Sequence, residues 1–510
     1  MIHLIWNSFL LITDMITNST LVQFFDWYCK GAGQHWKHFQ QEIPSLLDLG
    51  ITDVWLPPAY KGTRGAASEG YDVYDIYDLG EFEQKGTVST KYGTKDEYAG
   101  AVAEARRRGL RVYIDVVLNH MGGAEETEKI TVRKVDPKNR NKFISEPMEI
   151  EAYTKFRFPG RGGKHSTFNW DHHCFTGIDH AVGMQEPAIY SILNEWGQGW
   201  EPLVHNEKGN FDYLILNDIE TRNPAVREEL KKWAKWYYDT IPFDGVRLDA
   251  VKHINPAFFI EWLDYMRKEV NPDLKAIGEY WLSDDLPVLL KYIEVTEKRM
   301  SLFDAPFHHN FSEASVSREK YDLRNIFNDS LVAVHPDLAV TFVDNHDTQP
   351  LQSLEEYTEQ WFKPHAYALI LLRQEGFPCV FYPDLYGSSY SGKNKDDQHS
   401  DIELPVVPEL KILLELRKEL AYGPQTDHFD DPNCIGWVRG GVEERPGSGL
   451  VVVLSNAETP QTKKMLLGKA FAGRRMINIL EEESAVVSID DAGIGAFEIA
   501  PAKAGVWRFV

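Results

Sequence analysis

The chain has 510 residues, and 77 acidic against 54 basic side chains give it a formal net charge of −23. That balance argues against nucleic acid or an anionic membrane as the main partner, because both reward a basic face; a neutral ligand fits better. Hydrophobic residues at 43% and charged residues at 26% exclude wholesale disorder and leave room for roughly two to four domains.

The opening stretch MIHLIWNSFLLITDMITNST is apolar, but Asn7 and Asp14 interrupt it and no A-x-A-like cleavage site follows. No uninterrupted apolar run reaches the ~18 residues of a membrane span. Cys29, Cys174, Cys379 and Cys434 are scattered, without the spacing of a disulfide framework or a zinc site. Together these features predict a cytoplasmic protein, with secretion through the apolar N-terminus as the alternative.

Short apolar runs then alternate with helical patterns. Strands are predicted at 22–28, 53–56, 112–118, 245–250, 276–280, 302–305, 339–343 and 379–382. Their near-continuous apolar character is that of strands buried on both faces of a parallel sheet. Between them, Val226, Leu230, Trp233 and Tyr237 mark one helix face, with Asn223 as N-cap and Pro224 at the first helical position. Leu410, Leu413, Leu414 and Leu420 mark another, and Gly50 and Gly109 stand at helix stops. Eight strand–helix units predict an α/β fold, a TIM (β/α)8 barrel.

From Met121 to about Asn217 the rhythm breaks, and a stretch this long implies a domain inserted after the third strand. After Gly423, runs at 435–438, 450–454 and 506–510 read as antiparallel strands. The expected division is barrel 1–120, inserted domain 121–217, barrel 218–424 and a C-terminal β-sandwich 425–510. No further binding module is recognisable, so soluble or short ligands are expected over insoluble ones.

Catalytic groups of such barrels collect at the C-terminal strand ends. The third run ends DVVLNH (115–120), and the fourth reads FDGVRLDAVKH (243–253). Arg247 and Asp249 lie two apart, hence on one strand face. The fifth, IGEYW, brings Glu279, and the seventh, FVDNHDT, brings His346 and Asp347. Three carboxylates beside an Arg and two His suit acid–base chemistry better than three independent surface ion pairs.

These segments, with FFDWY (24–28), YDVYDIYDLGEFEQKGTVSTKYGTK (71–95) and EQWFKP (359–364), resemble in order and spacing the signature segments of the alpha-amylase family, glycoside hydrolase family thirteen. The resemblance covers nearly the whole chain, and lies nearest the liquefying bacterial type and its intracellular fungal relatives. It implies retaining, endo-acting cleavage of α-1,4 bonds in starch, glycogen or maltooligosaccharides, by a monomer needing neither nucleic acid nor membrane. Asp249 is then the nucleophile, Glu279 the acid/base and Asp347 the third carboxylate. Arg247 orients Asp249; His120 and His346 bond the same sugar, and Tyr71 lies under it. Lys252, His253 and Trp281 match aglycone-side positions. A retaining mechanism needs two carboxyl groups about 5–5.5 Å apart, one of them protonated before attack. Alternatives are a glucan transferase using the same residues, or an inactive sugar- or protein-binding barrel.

The resemblance also implies one Ca²⁺, held by Asn119, Asp212, Asp218 and the carbonyl of His253, an all-oxygen set of the kind this ion accepts. Positions matching additional ions in bacterial relatives hold Thr176, Glu201, Glu220 and Arg222, so a single ion is expected, with the Arg222 cation in place of another. Two departures stand out. Pro383 replaces the usual Gly after the eighth strand, and the insert shares few residues with the bacterial type.

Overall fold

The computed structural model describes residues 18–184, 187–394, 396–481 and 485–510; the apolar stretch at 1–17 lies outside them. Eight parallel strands close into a barrel: β1 Leu21–Gln23, β2 Asp53–Trp55, β3 Arg111–Val116, β4 Gly245–Leu248, β5 Lys275–Gly278, β6 Ser301–Phe303, β7 Ala339–Phe342 and β8 Phe377–Phe381. Each pairs with its chain neighbours, and β1 with β8 closes the ring. All eight predicted strands are present, and all are shorter than predicted or shifted at an end. The run at 22–28 leaves the sheet after Gln23. Beyond it the Asp26 carboxylate accepts the Tyr28 amide at 2.8 Å, the local bond that turns Asx residues out of ladders.

The helices have sequence-level causes. In α1 (His35–Asp48) buried Trp36, Phe39, Ile43 and Leu46 make one stripe. Helix α2 (Lys95–Arg107) opens with a capping box, in which Thr94 accepts from the Glu97 amide and Glu97 accepts from the Thr94 amide. The chain leaves both helices through glycines at positive φ, Gly50 at 83° and Gly109 at 86°. Helix α3 (Pro224–Thr240) is capped by Asn223, whose side chain accepts from the Ala225 amide. It buries the predicted face, and the indole of Trp233 donates to the Ile76 carbonyl at 2.7 Å.

Between β3 and β4 the chain forms a mostly antiparallel sheet. Its long strand Glu126–Asp136 pairs with Met148–Lys155 and Tyr190–Asn194. Sequence periodicity missed these strands, because only Ile130, Val132 and Val135 of the eleven residues are buried among charged neighbours. A short ladder ties the insert to the barrel, pairing His120–Met121 with Asn217–Ile219. The C-terminal region is antiparallel, as expected: Cys434–Arg439, Leu450–Ser455 and Ala504–Phe509 are consecutive in a six-stranded sheet. The pair Gln461–Leu466 and Ile494–Ile499 packs on it around Val451, Met465, Phe497 and Trp507. Among the described residues no helix is long and apolar enough to cross a membrane.

Candidate active site

Arg247 organises the C-terminal end of the barrel. Its side chain is about 1% exposed, and its two terminal nitrogens fork between strands. Nη1 donates to Asp249 at 2.6 Å and to Asp115 at 2.9 Å, while Nη2 lies 2.8 Å from Glu279. The β3–β4 register explains the second contact, since Arg247 and Asp115 are paired and point the same way. The Asp115 carboxylate also accepts from the Trp55 indole at 2.9 Å and the Tyr71 hydroxyl at 2.8 Å. Sequence reasoning passed over Asp115. The available signal was an opposite charge at the matching depth of the neighbouring strand.

Glu279 is held a second way. Just past β4, Ala250 sits in the left-handed region at φ +50°, and its amide donates to Glu279 at 3.0 Å. The conformation costs a non-glycine residue roughly 1–2 kcal/mol, and it aims a backbone donor into the site. Asp347 is the most open of the three carboxylates at 22% side-chain exposure, and it hydrogen-bonds Glu279.

The electrostatics follow from enclosure. Burial pushes the Asp249 carboxyl up to about 6 against the pull of Arg247, with Asp115 adding to the rise. Arg247 therefore moderates the desolvation of Asp249 rather than cancelling it. Burial also raises Glu279, opposed by Arg247 and reinforced by Asp249. Asp347 is raised well above the carboxylate range by burial and by Glu279. Burial depresses both histidines, His120 to about 4 and His346 far below its usual value, so both are neutral near pH 7.

The predicted sugar-side residues converge here. The rings of His346, Tyr71 and Trp27 lie nearly parallel as a cluster, with centroids 5.1 Å apart for His346–Tyr71, 5.7 Å for Trp27–Tyr71 and 6.2 Å for Trp27–His346. His120 Nε2 lies 2.8 Å from the Tyr71 carbonyl oxygen. Trp27 and Trp55 are additions to the predicted set. Lys252 is pinned rather than solvated, donating to the Trp281 carbonyl at 3.0 Å with Glu207 at 3.5 Å. Trp281 is half-buried near His308 and Phe342. The buried His253 ring is turned to the insert instead, with Nδ1 2.5 Å from the Phe211 carbonyl oxygen.

Beside the insert ladder a second acidic group is buried. Asn119 Nδ2 donates to Asp218 at 2.9 Å, and Thr176 donates to the other Asp218 oxygen. Asp212 accepts from the Glu201 amide at 2.9 Å. Arg222 grips Glu220 through two nitrogens, at 2.7 and 2.6 Å. Burial, with acidic neighbours, pushes Glu201 up to about 8 and Asp212 to about 7, and Asp218 well above its ordinary value. Asn119 Oδ1 is buried without a hydrogen-bond partner among the described residues. A buried amide oxygen left unpartnered on a residue that touches Asp218, among several buried carboxylates, fits a bound hard cation. A separate grouping, Asp171, His172 and His173, is more exposed; its imidazoles lie against Glu128 and Glu195 at 2.8 and 2.7 Å.

Comparison with known proteins agrees with this geometry. Residues 23–404 match the family model described as "Alpha amylase, catalytic domain". The chain is 44% identical to the cytoplasmic alpha-amylase of Escherichia coli (strain K12) over 491 residues, 96% of this chain and 98% of the relative. It is 44% identical to an alpha-amylase of Geobacillus stearothermophilus over 494 residues, 96% of this chain and 87% of that one. A solved alpha-amylase from Geobacillus thermoleovorans, complexed with acarbose, superposes with a TM-score of 0.62 at 18% identity, covering 97% of this chain and 98% of its own.

Proposed function

This chain belongs to the alpha-amylase family, and on that premise we propose that it is a retaining, endo-acting hydrolase of α-1,4-glucosidic bonds in starch, glycogen or maltooligosaccharides. The observation that carries the reading is the single Arg247 guanidinium bridging Asp249 and Glu279. Asp249 attacks the anomeric carbon while protonated Glu279 gives its proton to the departing glycosidic oxygen. Water then displaces Asp249 from the glycosyl-enzyme, and Glu279 takes the water's proton, which returns both groups to their starting state. The fork of Arg247 keeps Asp249 ionised above about pH 6 and aimed at the sugar. Enclosure, which raises Glu279, suits it to carry the proton.

In this reading Asp347 and the neutral His120 and His346 hold hydroxyls of the sugar being cleaved, with Tyr71 as its platform. Lys252 and Trp281 flank the leaving chain, Lys252 in an orientation fixed by the Trp281 carbonyl, while the His253 ring faces the insert. Asn119, Asp212, Asp218 and the His253 carbonyl would hold one Ca²⁺, whose charge offsets the buried carboxylates. Arg222, paired with Glu220, supplies positive charge beside it. The chain is divided as barrel 1–120 and 218–424, insert 121–217 and C-terminal sandwich 425–510. It acts in the cytoplasm as a monomer, the compartment printed in the name of the Escherichia coli relative. Incubation with soluble starch tests the function: new reducing ends are expected from the wild type and none from Asp249→Asn. Lengthened products without new reducing ends would assign a transferase instead.

A further inference from the structure

The departure at Pro383 builds something the chemistry above does not use. Proline suits the first turn of a helix, and here it opens the short helix Tyr382–Tyr386 directly after β8. The i, i+4 spacing sets Tyr382 and Tyr386 side by side, their rings stacked at 4.7 Å and 21°. Phe24 meets both rings edge-on, at 5.1 and 5.8 Å. His38 Nε2 lies 2.9 Å from the Tyr382 hydroxyl, and the Tyr386 hydroxyl donates to Glu42 at 3.1 Å. Both aromatic side chains are thus fixed in place while remaining half-buried.

They line a cavity of about 620 Å³ between the β1 loop, the start of α1 and the strand His399–Leu404. That volume falls within the ~300–1,000 Å³ of small-molecule sites. Lys30 and Glu403 at its wall bring opposite charges, and Gln34, Ser388 and Ser389 add neutral hydrogen-bonding groups. His35, about 6% exposed, also lines it, and its Nε2 has no hydrogen-bond partner among the described residues. The ring is neutral, held so by burial, and its hydrogen bond to the Phe24 backbone leaves Nε2 as the free nitrogen. A buried nitrogen left unpaired is a place for a ligand hydroxyl. Flat rings, mixed charge and dispersed donors describe a site for a neutral polyhydroxyl molecule. None of Asp249, Glu279 and Asp347 lines this cavity, whereas Tyr28, whose ring stacks on Tyr390 at 3.9 Å, lines it as well.

We propose that this cavity is a second, non-catalytic binding site for a short segment of α-glucan, with Tyr382 and Tyr386 as platform and His35 Nε2 bonding a sugar hydroxyl. The proposal rests on the α-glucan reading of the active site. Tethering a polymer at a second point raises its effective concentration at the cleft, so the site favours long soluble chains over short ones.

The test uses the full chain. In a Glu279→Gln background, which keeps the polymer intact, retardation in native gels containing soluble starch is compared with and without Tyr386→Ala. Because that change removes packing against Phe24, Ser389→Trp is the second variant; it fills the cavity from an exposed position. Each is expected to weaken starch retardation about tenfold, while the same substitutions in otherwise wild-type chain leave hydrolysis of a nitrophenyl maltotrioside within about twofold. Unchanged retardation in folded Ser389→Trp protein overturns the proposal. If the wild type cleaves no nitrophenyl maltooligosaccharide or starch, the α-glucan reading itself fails and the second site falls with it.

Discussion

Asp218 stands directly opposite His120 on the short antiparallel ladder that joins insert to barrel. One backbone pairing therefore carries a proposed calcium ligand on one strand and a proposed sugar ligand on the other. Anything that disturbs the acidic cluster reaches the active site through two residues, not through a long path.

Calcium should accordingly stabilise the chain and sharpen its activity together. With one site, stabilisation grows as RT ln(1 + [L]/Kd), about 2.7 kcal/mol at a hundredfold excess over Kd. Melting curves across a calcium titration should rise with metal in the wild type and stay flat in Asp218→Ala. A wild-type midpoint unmoved by chelation, with no metal in the purified protein, contradicts the assignment.

The pH profile follows from the groups around Asp249. The nucleophile must be ionised, and its carboxyl is raised to about 6, so kcat/KM should climb as pH rises through about 6. Asp115 contributes to that rise. Removing its charge in Asp115→Asn favours the ionised form of Asp249, and the acidic limb should move to lower pH. Maximal activity should also drop, because the asparagine amide offers one acceptor oxygen where the carboxylate offered two to Tyr71, Trp55 and Arg247. An acidic limb unmoved in this variant would show that Asp115 does not act on Asp249.

Ala250 gives a test of backbone design. Glycine adopts its left-handed conformation freely, but loses more entropy on folding. Ala250→Gly should therefore leave stability unchanged or raise it by about 1 kcal/mol. Ala250→Val should lower it by about 2 kcal/mol or more, since a branched residue resists positive φ. Activity should fall in Ala250→Val, where the amide is displaced from Glu279. Denaturant midpoints and starch hydrolysis measure both effects.

The barrel was legible because its strands are buried on both faces: runs such as the one at 339–343 stay apolar whatever the local detail. Asp249, Glu279 and Asp347 were legible because strand ends mark the catalytic face. The insert was not, because strands such as Glu126–Asp136 bury one sparse face and carry charge on the other. Asp115 was hidden by its partner's distance in sequence, since only the β3–β4 register sets it beside Arg247. Trp27 was lost inside a run read as strand, where the turn made by Asp26 carries it to Tyr71. His253 illustrates the reverse case. Its place in the motif suggested a sugar contact, whereas its ring packs against Phe211 at 4.3 Å.

The central claim is that Asp249 and Glu279, forked by one arginine, act as nucleophile and acid/base of a double displacement. Proton NMR of maltoheptaose hydrolysis, recorded before mutarotation, tests it most directly. The account predicts that the first-formed reducing ends are α-anomers, and that Asp249→Asn loses on the order of 10⁴-fold or more in rate. First-formed β-anomers, or an Asp249→Asn enzyme of near wild-type rate, would contradict it.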